Sequence, residues 1–433
     1  MSLSLITTFE NQCRALASAA SPDENASRFL VGTLSPRSEN SINLFEYKDD
    51  NNNLAKISFR FPEGEIWHLS APSKYPSLFA AVVGKKNQLG LSVYKLPKES
   101  EDSIEDDFGL LEAPIEKSLE VVSAGPNLTR QSHWHPDGKS ELLLCNDRRL
   151  EFWDVDAQNE IRKFSLQSPI ERSLQESTKL PQVIDLRWSS LFNCSVVAAA
   201  VGSKIFGMDT RVPDSNVSSI CWLIKDQKCN RVRSIDFNPN SQYYLASGGD
   251  DCQAKFWDLR QTSKPVLQIQ PHTHWIWGIR YNPFHDQLIL TAGGDARVAI
   301  LRAQSIASEP YGRIGDVCDD ADEVSLSDND CKEPDQDHNE NVEDPNERDS
   351  MKSSTGESVN DSKSNGIEIM PQDKHIESTP NLSDEIVQLF EEHDDSVYAV
   401  EWATDPWVFA SLGFESRLAI NKVPRTEKLN ILF

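Results

Sequence analysis

The segment Arg231–Asp258 reads R-V-R-S-I-D-F-N-P-N-S-Q-Y-Y-L-A-S-G-G-D-D-C-Q-A-K-F-W-D, and imperfect copies of it recur along most of the 433 residues. Each copy holds an alternating strand ending in an aromatic, a short apolar strand, and a strand ending at the position of Trp257. Strands repeating every forty-odd residues and closing on Trp-Asp specify the blade of a β-propeller. Such a fold is a rigid frame, and its function has to be sought in surfaces grafted onto it.

The first strand recurs at Val183–Trp188, Val232–Phe237, Ile276–Tyr281 and Val397–Trp402, with weaker versions at Ile66–Ala71 and Arg130–Trp134. From Trp134 the terminal aromatics Trp188, Phe237, Tyr281 and Trp402 follow at intervals of 54, 49, 44 and 121 residues. A blade takes about 45 residues, so the last interval holds an insertion of about 75. With the upstream pair Arg28–Val31 and Ser41–Tyr47, the copies predict an all-β, seven-bladed WD40-type propeller. A blade exposes an edge unless the ring closes, and either Ser2–Phe9 or the tail Leu429–Phe433 could complete the last one.

The Trp-Asp unit predicts a buried hydrogen-bonded chain through the turn Asp251, a blade-entry histidine, Ser247 and Trp257, with Asp258 closing the blade. A chain of this kind specifies register because each member needs its partner. His272 and Thr291 are expected to pair with Asp295, although Leu301 replaces the tryptophan there. Glu415 replaces the turn aspartate in the last blade and Met208 the tryptophan in the fourth, so apolar packing is expected to hold most of the ring.

The formal net charge is −25, but residues 303–385 hold 23 acids against 6 bases, a net of −17. The sequence therefore divides into a propeller part over 1–302, an acidic low-complexity insertion over 303–385, and 386–433, which ends blade six and adds blade seven. Within the insertion, Asp316–Asp349 has 15 acids and 2 bases; so few apolar residues predict disorder. Ser325 and Ser327, beside acids, are candidates for an acid-directed kinase. A smaller acidic loop, Glu99–Asp107, interrupts blade two. No basic stripe points to nucleic acid or an anionic membrane. The eight cysteines form no C-x-x-C pair; Cys145, Cys194 and Cys252 read as reduced thiols in or beside strands, in keeping with a cytosolic compartment. The first residues lack a basic, then apolar, leader pattern, and apolar runs such as Val196–Val201 are too short to span a bilayer.

The His133-Trp134-His135 and His272-Thr273-His274 pairs lack further ligands at zinc spacing, and no nucleophile-elbow, phosphate-loop or metalloprotease motif is present. No catalytic residue, metal or cofactor is expected. The mouth of the ring says more. Trp67, Arg130, Arg233, Trp277 and Tyr398 stand one residue into their first strands, and Arg231 and Trp275 lie two residues earlier than Arg233 and Trp277. Tryptophan, tyrosine and arginine dominate binding hot spots, so these seven are the candidate partner-binding residues. Packing between blades is the alternative for Trp277 and Tyr398.

The phrases H-T-H-W-I-W-G-I-R-Y-N-P (His272–Pro283), H-D-Q-L-I-L-T (His285–Thr291), E-H-D-D-S-V-Y-A-V-E-W (Glu392–Trp402) and D-P-W-V-F-A-S-L (Asp405–Leu412) resemble the WD-repeat proteins that interact with the EARP and GARP tethering complexes. Asn238–Cys252, Gly64–Ser70 and Arg28–Thr33 extend the resemblance. It implies a seven-bladed, non-catalytic scaffold that binds subunits of these endosomal and Golgi tethers, is monomeric outside the complex, and does not insert in membranes. It also implies peripheral association with the trans-Golgi network and recycling endosomes, and roles in tether recruitment, endosomal recycling, retrograde transport and dense-core vesicle cargo sorting. Where the family has S-Y-D-G-R, this chain has Leu412-Gly413-Phe414-Glu415-Ser416-Arg417, which predicts loss of the tight turn. A competing function, substrate receptor of a cullin-type ubiquitin ligase, rests on the W-D-x-R arrangement Trp257-Asp258-Leu259-Arg260.

Overall fold

A computed structural model describes residues 4–49, 53–85, 88–97, 110–111, 115–121, 129–146, 149–165, 182–212, 220–226, 228–308 and 384–432. The acidic stretch at 99–107, and Ser325 and Ser327, lie outside them. Described residues form seven sheets in sequence order around a ring, each built on four antiparallel strands. The innermost strands are Cys13–Ala19, Glu65–Ser70, Thr129–Trp134, Val183–Trp188, Val232–Phe237, Ile276–Tyr281 and Val397–Trp402. Each touches the next, and the last returns to the first.

The ring closes through the N-terminal side. Leu5–Thr8 pairs antiparallel with Arg417–Lys422 as the outer strand of blade seven, whereas the other candidate, the tail, forms the helix Arg425–Leu432. Joining first and last segments in one blade removes the free edge. Blade one gains a short fifth strand, Leu110–Leu111, parallel to Ser58–Phe59. No helix of the described residues is long and apolar enough to cross a membrane.

The packing follows from strand alternation. In blade one, Leu30 and Leu44 face blade two, while Phe29, Val31 and Phe45 face blade seven. Similar apolar clusters occupy every other interface between neighbouring blades. Middle strands are covered on both sides, which is why Val196–Val201 is a continuous, fully buried apolar run.

In blade six, Val298–Ala303 pairs with Asp384–Phe390 in a register that sets Ala303 opposite Asp384. The chain thus leaves and re-enters the sheet at adjacent positions. Deletion of Asp316–Pro380 is expected to leave the thermal unfolding midpoint unchanged by scanning calorimetry, because the residues that remain still join two paired ends. A collapsed or broadened transition would contradict this.

Candidate functional site

All seven innermost strands share one irregularity. In each, the pairing with the second strand skips a residue: between Cys13 and Ala15, Ile66 and His68, Thr129 and Gln131, Val183 and Asp185, Val232 and Ser234, Ile276 and Gly278, and Val397 and Ala399. A bulge frees one residue from the ladder and re-aims its side chain. The freed residues are Arg14, Trp67, Arg130, Ile184, Arg233, Trp277 and Tyr398. Five were candidates from sequence; Arg14 and Ile184 were not. The side chain of Arg130 lies outside the described residues.

Five of these positions, running through blades five, six, seven, one and two, form one continuous band. The Arg233 guanidinium lies 4.1 Å from the ring centroids of both Trp275 and Trp277 and is held from behind by Asp250. Trp277 meets Tyr398 edge-on at 5.1 Å, and Tyr398 meets Phe414 at 5.6 Å. Arg14 bridges onward, 5.6 Å from Tyr398 and 5.4 Å from Trp67. The Trp67 indole donates to Glu65 at 3.1 Å. Trp277 and Tyr398 do pack across a blade interface, yet both remain half-buried, as does Trp67. Trp275 is 39% exposed, Phe414 is 43% exposed, and Arg231 is exposed. Cation–π contacts at partly exposed sites contribute about 0.5–1 kcal/mol each, enough to preset the orientation of these side chains.

Below the rim the channel carries a belt of charges that the sequence reading overlooked. Residues just before the terminal aromatics form it: Arg187, Asp236, Arg280 and Glu401, beside the His133 imidazole, which burial and the nearby Arg187 charge keep neutral. Arg280 Nε donates to Glu401 at 3.0 Å, and Arg187 Nε lies 3.7 Å from Asp236. Asp185 accepts from Gln131 at 3.1 Å, Ser234 Oγ at 3.0 Å and the Ile235 amide at 2.8 Å, tying blades three, four and five together. Burial pushes Asp236 and Glu401 up to about 7 against the pull of Arg187. Burial, helped by the positive charge of Arg187, brings His68 down to about 4, so this imidazole is neutral at physiological pH.

The blade networks differ from expectation in blade five. Trp257 donates to Ser247 at 2.8 Å as predicted, but no histidine joins them. Instead Lys255, 2% exposed, bridges Asp226 and Asp251, so Asp251 serves an ion pair and not the tryptophan chain. Asp258 faces outward and clamps Arg260. His272 contacts Asp295 and Thr291, each at 2.9 Å. Burial would raise the Asp295 carboxyl, but His272 and the Thr273 amide outweigh it and hold it down to about 2. A Cβ on Gly293 would lie 2.3 Å from both His272 and Asp295, so this network needs glycine there.

Blade seven corrects the expected loss of its turn. Glu415 reaches His393 at 2.7 Å, and His393 reaches Ser411 at 2.8 Å, rebuilding the network with one extra methylene. Ser416 adopts φ 61°, matching Ala296 and Cys252 at 63°. The left-handed position that ends the turn is therefore filled without Asp-Gly.

Among the described residues, two clusters have metal-ligating atoms close together: His135 with Asp137 and Cys194, and Asp226 with Cys229 and Asp251. In the second, the Lys255 ammonium already supplies the cation. In the first, the Asp137 amide donates to His135 Nδ1 at 3.2 Å. Burial and contact with Asp137 push the Cys194 thiol up to about 11, which favours a protonated thiol. Cys145 is also buried, while Cys252 is half-buried and Cys221 exposed. The W-D-x-R arrangement has a local account: Arg260 pairs with Asp258 and lies over Tyr243 at 4.4 Å. Arg211 repeats the same clamp on Asp209 in blade four.

Repeat, ring closure and blade networks together define a WD-repeat β-propeller. The model of the EIPR1 beta-propeller family matches residues 1–301. EARP and GARP complex-interacting protein 1 of Rattus norvegicus is 34% identical over 443 residues, covering 99% of this chain and 98% of the relative. The Homo sapiens protein of the same name is 33% identical over the same shares of each chain. A more distant relative, EARP-interacting protein 1 of Caenorhabditis elegans, is 26% identical, covering 100% of this chain and 99% of its own length. The chain belongs to the EIPR1 beta-propeller family.

Proposed function

We propose that this propeller is a non-catalytic scaffold that binds subunits of the EARP and GARP tethering complexes, and that the rim of the channel is its binding surface. The relatives' names supply the partner, and the continuous aromatic and arginine band is the observation that carries the surface. Trp67, Arg231, Arg233, Trp275, Trp277 and Tyr398 are its binding residues, joined by Arg14 and Phe414. Rigid rings and guanidinium groups held by their neighbours lose little entropy on docking. In this reading the protein acts in the cytoplasm, peripherally on trans-Golgi and recycling-endosome membranes. There it assists tether recruitment in endosomal recycling, retrograde transport and dense-core vesicle cargo sorting.

Affinity purification of the tagged chain followed by mass spectrometry tests the partner. Recovery of the tether subunits is expected. Recovery of a cullin-ligase adaptor without any tether subunit would replace this function with the competing one.

A further inference from the structure

Blades five, six and seven share one turn between their second and third strands. It runs Gly249-Asp250-Asp251-Cys252, Gly293-Gly294-Asp295-Ala296 and Gly413-Phe414-Glu415-Ser416, with φ 63°, 63° and 61° at the last residue. In all three, the amide of the second turn residue donates to the carbonyl two residues before the bulged one. Asp250 reaches Arg231 at 3.1 Å, Gly294 reaches Trp275 at 2.8 Å, and Phe414 reaches Ser396 at 2.8 Å. This position is therefore fixed against the rim, but its side chain differs from blade to blade. In blade seven it is Phe414, whose ring meets Tyr398. In blade six it is glycine, where a Cβ would lie 2.2 Å from His274 Nδ1. In blade five it is Asp250, whose carboxylate pairs with Arg233. The Arg233 and Asp250 side chains are 10% and 18% exposed, so little of this pair is left for a partner to touch.

We propose that Asp250 is a positioning residue of the rim: it fixes the Arg233 guanidinium, and through it the faces that Trp275 and Trp277 present to the protein partner. The inference rests on the reading of the rim as the tether-binding surface and adds what sets the shape of that surface. Arg233 comes from blade five, whereas both tryptophans lie in or beside the first strand of blade six, so the contact crosses a blade interface. An arginine side chain has many rotamers to lose, and stacking on a partly exposed ring is a weak restraint by itself. The charge-assisted hydrogen bond from Arg233 Nε to Asp250 is a stronger one. It leaves the planar group lying against both rings. Trp275 depends on this most, because it is exposed and has Arg233, Trp277 and His274 as its ring neighbours. Rings already oriented before docking lose less entropy when a partner covers them.

A double-mutant cycle, read by titrating the full-length chain against purified EARP and GARP complexes, tests the proposal. Asp250→Ala is expected to weaken binding by about tenfold. Its cooperative unfolding transition should be retained, because blade six forms the same turn with no side chain at this position. Arg233→Met is expected to weaken binding at least as much, and adding Asp250→Ala to it should cost nothing further. Near-ultraviolet circular dichroism of the unbound Asp250→Ala chain should differ from wild type, and the difference should vanish in a Trp275→Phe, Trp277→Phe background. An unchanged spectrum would overturn the proposal. So would additive losses of affinity, since Asp250 would then act on the partner without Arg233. Wild-type affinity for Asp250→Ala overturns it as well if Trp277→Ala with Tyr398→Ala abolishes binding. If that aromatic pair also binds normally, the underlying reading of the rim fails instead. Should the alanine variant lose its cooperative transition, the same cycle with Asp250→Asn decides between these outcomes.

Discussion

Lys255→Met is expected to lower the unfolding free energy by about 4 kcal/mol, since removing one partner of a buried ion pair typically costs 3–5. The ammonium lies 2.7 and 2.6 Å from the two oxygens of Asp226 and also pairs with Asp251. Burial opposes its charge, but the two aspartates outweigh it and raise the lysine pKa. A group raised above its unfolded value contributes stability that is complete below that value and lost only as pH rises through the folded one. The wild-type contribution is therefore constant across the neutral range. The variant behaves differently, because methionine leaves two carboxylates facing each other with no cation. Protonation relieves their repulsion, so the deficit should shrink as pH falls. Urea unfolding at about pH 5 and about pH 8 checks both the size and the sign. A deficit under about 1 kcal/mol, or one larger at the acidic pH, would contradict the role of Lys255.

Lys255 also shows what a sequence can conceal. In A-K-F-W-D it reads as the outward residue of an alternating strand, and its partner Asp226 lies 29 residues earlier in the connection entering the same blade. The first strand of blade one was hidden for another reason. Cys13–Ala19 is rich in alanine and ends in no aromatic, so it lacks the mark that identifies the first strand in most other blades. Arg14 was hidden with it. The charged belt, by contrast, was visible: Arg187, Asp236, Arg280 and Glu401 each precede a terminal aromatic. What spacing could not give was their pairing, which depends on which blades are neighbours and how far each strand twists. The seven blades were legible because every copy must bury the same faces. The rim was legible in part, because its aromatics and arginines interrupt the apolar alternation at one repeated position. The bulge that turns them outward is a backbone irregularity with no residue signature of its own.

The larger expected effect on function comes from Trp277→Ala with Tyr398→Ala. The two rings meet edge-on at the centre of the band, between Arg233 and Trp275 on one side and Arg14 and Phe414 on the other. Hot-spot aromatics cost about 2 kcal/mol or more each on truncation. Even with partial redundancy, the pair should lose about 3 kcal/mol, or more than a hundredfold in affinity. Neither ring supports a hydrogen-bonded blade network, and both are half-buried, so the fold should survive with a small fall in melting temperature. Titration of the purified double variant against EARP and GARP complexes, beside its calorimetric melting curve, is the most direct measurement of the rim as a binding surface. The expected result is affinity reduced more than about a hundredfold with one cooperative unfolding transition retained. Wild-type affinity with that transition intact would contradict it and make these two residues part of the packing between blades.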